Sequence, residues 1–375
     1  MKKITATVLV IALALALLAG CGSGSEKGKE NEVYTLSVTT HDAATSLGVQ
    51  FMNDFFNQIT EASGGRLKFT ISSGGSLFGA ADAVEAVRNG AADICWQSTS
   101  MNAGIFPLSE VINVPRNGLT CARMGSAVYN DILKEIPEVQ KEMDDFYVLV
   151  AHASAAIPIS TIGRKIEKTE DFKGLTIRTA GVVMAAYFTK LGAAPSSMPT
   201  SEVYEALSKK VIDGMGNDWH NIDCFKLYEV VDYCMDTCVN TSSDWLLMNK
   251  SKYESLPEDL QKILDSFHDY GSAMAGYYWD SCQYFVADEM RDNGVEVYTP
   301  TPEVDEFMNS EEMGKAMYDW YMDYLVSAGF EREYAESYWN QVQEIVARYA
   351  DKYADTASEY FSWKDWDKDS YKDYQ

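Results

Sequence analysis

The fold is decided by Tyr34-Thr-Leu-Ser-Val-Thr-Thr40, a run of alternating apolar and polar side chains that predicts a first strand. Apolar residues at helical spacing follow over 46–62, and Ser63-Gly-Gly65 ends that helix. A strand over 67–71, a helix over 80–89 and a strand over 93–96 come next. This order predicts parallel strands with crossover helices, which is an α/β domain.

The same alternation of strand and helix recurs in the second half of the chain. The predicted elements are strands over 146–152, 174–179 and after Val211-Ile-Asp-Gly214, helices over 182–191 and 202–209, and a long helix over 266–293. The 375 residues exceed the roughly 100–200 of a single domain, so two α/β lobes are the economical interpretation.

Charge and motifs exclude several functions. The chain has 31 Lys and Arg against 56 Asp and Glu, a net charge of −25. Such a surface repels phosphate backbones, which argues against nucleic-acid binding and against a basic patch for anionic lipid. Only four histidines are present, and no GxSxG, HExxH, P-loop or GxGxxG motif occurs. We therefore predict no enzyme, no metal and no cofactor.

The first thirty residues predict processing. Lys2 and Lys3 precede an apolar run over 8–18, which is too short to span a bilayer core of about 20 residues. Leu18-Ala-Gly-Cys21 resembles the lipobox of bacterial lipoproteins, and an ordinary signal peptide with a chance cysteine is the alternative. We expect a signal peptide over 1–20, lipidation of Cys21, and a flexible tether over 21–33. The mature protein would then be extracytoplasmic and held at the membrane by its lipid anchor only.

Two further features leave alternatives open. Six cysteines follow Cys21, and buried thiols are the main prediction for them, with at least one disulfide as the alternative. Residues 301–375 are acidic and rich in aromatics at helical spacing. These helices are expected to pack their aromatics on a lobe and face their acids to water, and a partner-docking helix or an aromatic ligand face is the alternative.

Four stretches, in order, resemble the substrate-binding proteins of TRAP transporters, of the DctP type. They are Ser63-Gly-Gly-Arg-Leu-Lys68 with Val87-Arg-Asn-Gly-Ala-Ala-Asp93; Asp171-Phe-Lys-Gly-Leu-Thr-Ile-Arg178-Thr179; Ser201-Glu-Val-Tyr-Glu-Ala-Leu207 with Val211-Ile-Asp-Gly214 and Lys226-Leu-Tyr-Glu-Val230; and Tyr253-Glu-Ser-Leu-Pro-Glu-Asp-Leu-Gln-Lys262. The resemblance implies a two-lobed, periplasmic-binding-protein-like fold with a long helix linking the lobes. We expect lobe I over 34–155 plus 244–283, lobe II over 156–243 plus 284–362, and an acidic aromatic tail over 363–375.

The resemblance also implies a ligand site for a small organic acid. Arg178 matches the family arginine that clamps a carboxylate, and Asn217 matches an asparagine that adds a hydrogen bond. From the residues alone, a surface ion pair is the alternative for Arg178. Pro158 stands where several members have a second arginine, which favours a monocarboxylate. Alignment of the strands adds cleft residues for which interlobe packing is the alternative: His41, Trp96, Gln97, Ser98, Trp219, Asp244 and Trp245.

The resemblance predicts a solute receptor that closes around a carboxylate and delivers it to the membrane permease subunits of a TRAP transporter. Closure would be a hinge motion in which the ligand favours the shut state. Asp244 could balance an amino group on the ligand. The alternatives are a lipoprotein of an ABC importer for a neutral solute, a secreted hydrolase on the same lobes, and a ligand-sensing partner of a membrane kinase.

Overall fold

The computed structural model describes residues 32–354 and 361–369. The predicted signal peptide, Cys21 and nearly all of the predicted tether lie outside the described residues, as does the end of the tail from residue 370. Within the described ranges, none of the helices combines the length and the apolar character that crossing a bilayer requires.

Eleven strands of the described residues form two sheets. In chain order they are β1 Tyr34–Thr39, β2 Leu67–Ser72, β3 Ile94–Ser98, β4 Phe146–Ala153, β5 Ile159–Thr161, β6 Thr176–Thr179, β7 Ala194–Ser197, β8 Gly214–Gly216, β9 Tyr233–Met235, β10 Ser243–Asn249 and β11 Glu296–Tyr298. The first sheet has the order β2-β1-β3-β10-β4, and the second has the order β11-β9-β5-β8-β6-β7.

Thirteen α-helices of the described residues cover these sheets. They are α1 Leu47–Ala62, α2 Ala83–Arg88, α3 Ala122–Glu135, α4 Pro137–Glu142, α5 Gly181–Leu191, α6 Thr200–Ser208, α7 Trp219–Cys224, α8 Lys250–Ser255, α9 Glu258–Ser266, α10 His268–Asp292, α11 Pro302–Met308, α12 Glu311–Ser327 and α13 Arg332–Ala350. The two-lobed α/β architecture that the sequence predicts is confirmed.

The pairing of β1 confirms one prediction, and β10 corrects the assumption of purely parallel sheets. Strand β1 runs parallel to β2 and β3, as the crossover helices require. Strand β10 lies antiparallel between β3 and β4, although strands β5 to β9 of the second sheet precede it in the chain. Local alternation predicts a parallel sheet, but it carries no information about a strand that returns from a distant part of the chain.

The helix α10 joins the two halves of the molecule. It packs against β4 and α3 on one side and against α7 and β11 on the other. Most of its residues between Tyr270 and Met290 are buried, because it is covered on both sides. The C-terminal helices also contact both halves, since α13 packs on α3 and α12 packs on α5. The lobe boundaries at 155, 243 and 283 therefore stay a prediction.

Cys95, Cys224, Cys234, Cys238 and Cys282 are free thiols in the part of the chain that the structure describes. The prediction of buried thiols is confirmed for Cys95, Cys224, Cys234 and Cys282, while Cys121 and Cys238 are partly exposed. Aromatics of the C-terminal helices belong to the core. Tyr321 and Tyr338 are fully buried, and each donates its hydroxyl hydrogen to the carbonyl oxygen of Leu108.

Candidate functional site

A cavity with a volume of about 40 Å³ lies between the two sheets. The side chains that line it come from the ends of β1, β3 and β10 on one wall and of β6 and β8 on the other, together with α7 and α10. Its polar, charged and aromatic lining includes His41, Asp42, Trp96, Ser98, Asn113, Arg178, Thr200, Asn217, Asp218, His220, Asn221, Asn240, Ser242, Asp244 and Trp279. Ligands of open α/β sheets bind beyond strand ends in this way.

Arg178, on β6, is 1% exposed and lines the cavity. Among the described residues, its guanidinium donates hydrogen bonds to neutral oxygens only. Nε and Nη2 donate to the carbonyl oxygen of Met198 at 3.2 and 3.1 Å, and Nη2 also donates to Oγ1 of Thr200 at 2.9 Å. Nη1 donates to the carbonyl oxygen of Gly216 and to Oδ1 of Asn217. The side chain is therefore held rigidly by its own lobe.

No carboxylate oxygen of the described residues lies within 4.0 Å of this guanidinium. Burial lowers the pKa of Arg178 to about 10, and the more distant Asp218 acts in the opposite direction. Even at that pKa the group is charged at neutral pH. A buried charge without an ion-pair partner is costly, so the cavity wall presents a positive charge that no described side chain neutralises at contact distance.

Asn217 follows β8 and lies beside Arg178, as the resemblance predicts. Its Oδ1 accepts a hydrogen bond from Arg178, while the partner of its Nδ2 among the described residues is the sulfur of Met215, at 3.9 Å. Such a thioether is a weak acceptor. The amide N–H groups of Asn217 are therefore available to a stronger acceptor in the cavity.

The first sheet supplies the opposite wall, and strand alternation decides which residues face the cavity. Trp96 and Ser98 of β3 line it, as does Asp244 of β10, which pairs with Ser98. Gln97 and Trp245 are their immediate neighbours and point to the other face of the sheet. Their expected place in the cleft is wrong, because successive side chains of a strand alternate between the two faces.

The contacts of these two residues show where they point. The side-chain amide of Gln97 donates to the carbonyl oxygen of Ala80. The indole of Trp245 packs against Phe106 and donates its Nε1 hydrogen to the hydroxyl of Tyr129. Both side chains are fully buried in the core behind the sheet.

Trp219 also differs from the prediction, since it is fully buried and does not line the cavity. The tryptophan that joins Trp96 in the lining is Trp279, from the middle of α10. The two indoles stack with ring centroids 5.0 Å apart, and the ring of His152 lies 4.7 Å from Trp96. Only helical periodicity marks Trp279 in the sequence, so nothing there separates it from a core residue.

An ion pair crosses the cavity between Asp42, which follows β1, and His220 on α7. Nε2 of His220 lies 3.3 Å from Oδ2 of Asp42, and Nε2 of His41 lies 3.6 Å from Oδ1. Burial alone would lower the pKa of His220, but Asp42 outweighs it and raises that pKa to about 9. Burial likewise opposes the charge on Asp42, yet His220 and His41 hold its pKa below the usual range.

The backbone N–H of Gly48 lies 3.2 Å from the same His220 Nε2. A neutral Nε2 would accept that hydrogen bond, whereas a protonated Nε2 donates to Asp42, and the raised pKa favours the protonated form. A methyl group at Gly48 would lie 2.3 Å from Oδ2 of Asp42, so only glycine leaves room for the pair.

Asp42, His220 and Cys224 are the side chains whose chemistry best suits a metal ion. One ligand atom of each lies within 4.8 Å of the other two. Burial raises the pKa of the Cys224 thiol, however, and a metal requires the thiolate. Nε2 of His220 also already faces Asp42 and Gly48. The residues therefore fit an interlobe polar contact better than a metal centre.

Together the two sheets, the joining helix and the cavity between them define a two-lobed solute-binding protein. The chain belongs to the DctP family of bacterial extracellular solute-binding proteins, family 7, whose model matches residues 38–322. The predicted membership in TRAP-type solute-binding proteins is thereby confirmed, as is the prediction that the chain is not an enzyme.

A curated relative resembles this chain in sequence, and solved structures resemble it in fold. The 2,3-diketo-L-gulonate-binding periplasmic protein YiaO of Escherichia coli is 26% identical over 289 residues, which are 76% of this chain and 85% of the relative. A TRAP solute-binding protein from a marine metagenome, solved with 3-hydroxybenzoate, has a TM-score of 0.78 at 23% identity and covers 85% of this chain and 99% of its own. Another TRAP solute-binding protein, from Rhodoferax ferrireducens T118, was solved with copurified benzoate. It has a TM-score of 0.78 at 24% identity, and the match covers 86% of this chain and 100% of that protein's chain.

Proposed function

We propose that this protein is the extracytoplasmic receptor of a TRAP-type transporter and that it captures a small carboxylate at Arg178. The observation that carries the proposal is the buried guanidinium on the cavity wall, which has hydrogen-bond partners but no anion within contact distance among the described residues. A planar guanidinium binds a carboxylate through two parallel hydrogen bonds. A ligand carboxylate would supply the missing countercharge.

Binding requires a change of partners around Arg178. The carboxylate replaces Oδ1 of Asn217 and Oγ1 of Thr200 as acceptor of the Nη1 and Nη2 hydrogens. Rotation of the Asn217 amide then lets its N–H, which now meets only the sulfur of Met215, donate to the same carboxylate. Arg178 is the one arginine of the described lining, and Ile157 lies in it near Pro158. This arrangement favours a monocarboxylate over a ligand with two acid groups.

Ligand entry requires the walls to move apart. A cavity of about 40 Å³ holds two or three water molecules, whereas an apolar cavity that admits benzene measures roughly 150 Å³. The walls touch at Gly181, where a Cβ would lie 2.8 Å from the carbonyl oxygen of Ser100, which follows β3 of the other sheet. We infer that the lobes open to admit the ligand and shut around it, and that the receptor, anchored through Cys21, delivers it to the permease subunits.

The test is a thermal-shift screen of small organic acids, including benzoate and 3-hydroxybenzoate, followed by calorimetry on the compounds that stabilise the protein. Arg178→Ala and Arg178→Lys are expected to weaken carboxylate binding about 10- to 150-fold, since a hydrogen bond to a charged group contributes about 1.5–3 kcal/mol. Arg164→Ala is the matched control, because Arg164 is an exposed arginine of the same lobe. Unchanged affinity in Arg178→Ala, or stabilisation by neutral sugars alone, would contradict the proposal.

A further inference from the structure

The charges of the cavity do not suit a plain anion. Three carboxyl groups line it, those of Asp42, Asp218 and Asp244, against one guanidinium and two imidazoles. All three acids are at least nine-tenths buried. A ligand that carried only negative charge would enter a space in which acids already match or outnumber the cations.

Two of the three acids have a partner in the protein. Asp42 faces His220 at 3.3 Å. Asp218 begins α7, where its Oδ1 accepts a hydrogen bond from the backbone N–H of Asn221 at 3.0 Å, and it is the acid that acts on Arg178 through space. These contacts distinguish both acids from Asp244, whose hydrogen-bond partner among the described residues is the neutral side chain of Ser98.

Asp244 is 8% exposed and belongs to β10, on the wall opposite Arg178. No cationic nitrogen of the described residues lies within 4.0 Å of its carboxyl oxygens. Its strand neighbours across the sheet are Ser98 and His152, and burial holds His152 neutral by lowering its pKa to about 3. The cavity thus has one unpaired guanidinium on one wall and one unpaired carboxyl on the other.

We propose that the preferred ligand is a small amino carboxylate, whose carboxylate pairs with Arg178 and whose cationic nitrogen pairs with Asp244. This inference rests on the proposed function and specifies its substrate class. The indoles of Trp96 and Trp279 support it, because both line the cavity and an aromatic face attracts a cation.

The ionisation of Asp244 agrees with this assignment. Burial and the nearby Asp218 raise the pKa of Asp244 well above its usual value, while Ser98 and His220 act in the opposite direction. A bound ammonium would stabilise the carboxylate, lower that pKa and so expel a proton held by the carboxyl group. Binding of an amino carboxylate is therefore expected to release protons, whereas a plain acid would bind without this release.

The test uses two pairs of compounds in which one member carries a cationic amino group and the other does not. Proline is compared with pyroglutamate, a lactam without a cationic nitrogen, and phenylglycine is compared with mandelate, its hydroxyl counterpart. Calorimetry at pH 7 in buffers of different ionisation enthalpy measures affinity and proton release together. The amino member of at least one pair is expected to bind 10-fold or more tightly than its partner and to release protons.

Asp244→Asn is the decisive variant because it keeps the shape and removes the charge. It is expected to abolish the preference for the amino member while the amine-free acid binds as before. Asp288→Asn, an exposed acid, is the matched control. Should pyroglutamate, mandelate or benzoate bind as tightly as any amino acid in the wild type, the amino-carboxylate inference is overturned and the carboxylate receptor stands. Should no acid bind at all, both are overturned.

Discussion

Two buried arginines of this protein differ in their hydrogen-bond acceptors. Arg123, at the start of α3, is 8% exposed and donates its Nε hydrogen to Oδ2 of Asp280 on α10 at 2.9 Å. Arg178, on the cavity wall, is more deeply buried, and its hydrogen-bond partners in the described part of the chain are neutral oxygens. Where an arginine holds two helices together, the fold supplies its carboxylate. At Arg178 the described residues supply no carboxylate, and the proposed ligand would occupy that place.

The difference has an energetic reason. A buried ion pair tolerates burial only when its charges compensate each other, and removing one partner leaves an uncompensated charge. The protein meets this requirement between α3 and α10, where Asp280 also accepts hydrogen bonds from the backbone N–H groups of Ala122 and Arg123. At Arg178 no described carboxylate lies at contact distance, and under the proposed function a ligand carboxylate would supply the compensating charge.

The largest expected effect comes from removing the carboxylate of the helix pair. Asp280→Asn leaves Arg123 charged and buried, so the free energy of unfolding should fall by about 3–5 kcal/mol. Asp218→Asn is the matched change beside Arg178. Asparagine still caps α7, and its effect should stay below about 1 kcal/mol. Urea denaturation of both variants measures the difference, and equal losses would remove the distinction between the two arginines.

The ion pair between Asp42 and His220 makes part of the folding stability depend on pH. The folded protein raises the pKa of His220 from 6.5 to about 9, so this contribution to stability is complete below pH 6.5 and is lost as pH rises through 9. The matching contribution of Asp42, whose pKa is lowered, is lost only in acid. Between pH 7 and 10 the free energy of unfolding should fall by roughly 1–3 kcal/mol from this pair.

His220→Gln should flatten that alkaline loss, since glutamine does not titrate. His268→Gln is the control and should retain it, because the pKa of His268 is lowered and the group is neutral throughout this range. Denaturation curves at pH 7, 8, 9 and 10 for the wild type, His220→Gln and His268→Gln measure this loss of stability. If the loss persists in His220→Gln, the pair does not couple the two walls.

The smallest expected effects come from substituting one tryptophan on each face of the first sheet. Trp96 and Trp245 lie on adjacent strands, but only Trp96 lines the cavity. Trp96→Phe should weaken ligand binding by up to about 10-fold, through loss of aromatic contact area. Trp245→Phe should leave affinity unchanged and lower stability by about 1 kcal/mol, because its hydrogen bond to Tyr129 is lost. Calorimetry measures the affinity of both variants and denaturation measures their stability. A loss of affinity in Trp245→Phe and none in Trp96→Phe would contradict the assignment of the two faces.

The sequence was most informative where structure is local. The first strand, the helix after it and the long helix over 266–293 lie within a few residues of β1, α1 and α10, because hydrophobic periodicity reports directly on local structure. The sequence was least informative about which face of a sheet a side chain lies on and about contacts between residues far apart in the chain. The sequence predicts Gln97 and Trp245 in the cleft together with Ser98 and Asp244. It shows that side chains of a strand alternate, but not which face of the sheet lines the cavity.

The sequence alone determined the family, the two α/β lobes, and the candidacy of Arg178 and Asn217, since motifs and periodicity are properties of neighbouring residues. Only the tertiary structure decided that Arg178 has no carboxylate at contact distance in the described residues, that Asp42 meets His220 across the cavity, and that Trp279 replaces Trp219 in the lining. These are relations between residues far apart in the chain. Charge compensation and burial depend on distances in space, which the packing of the two sheets against α10 establishes.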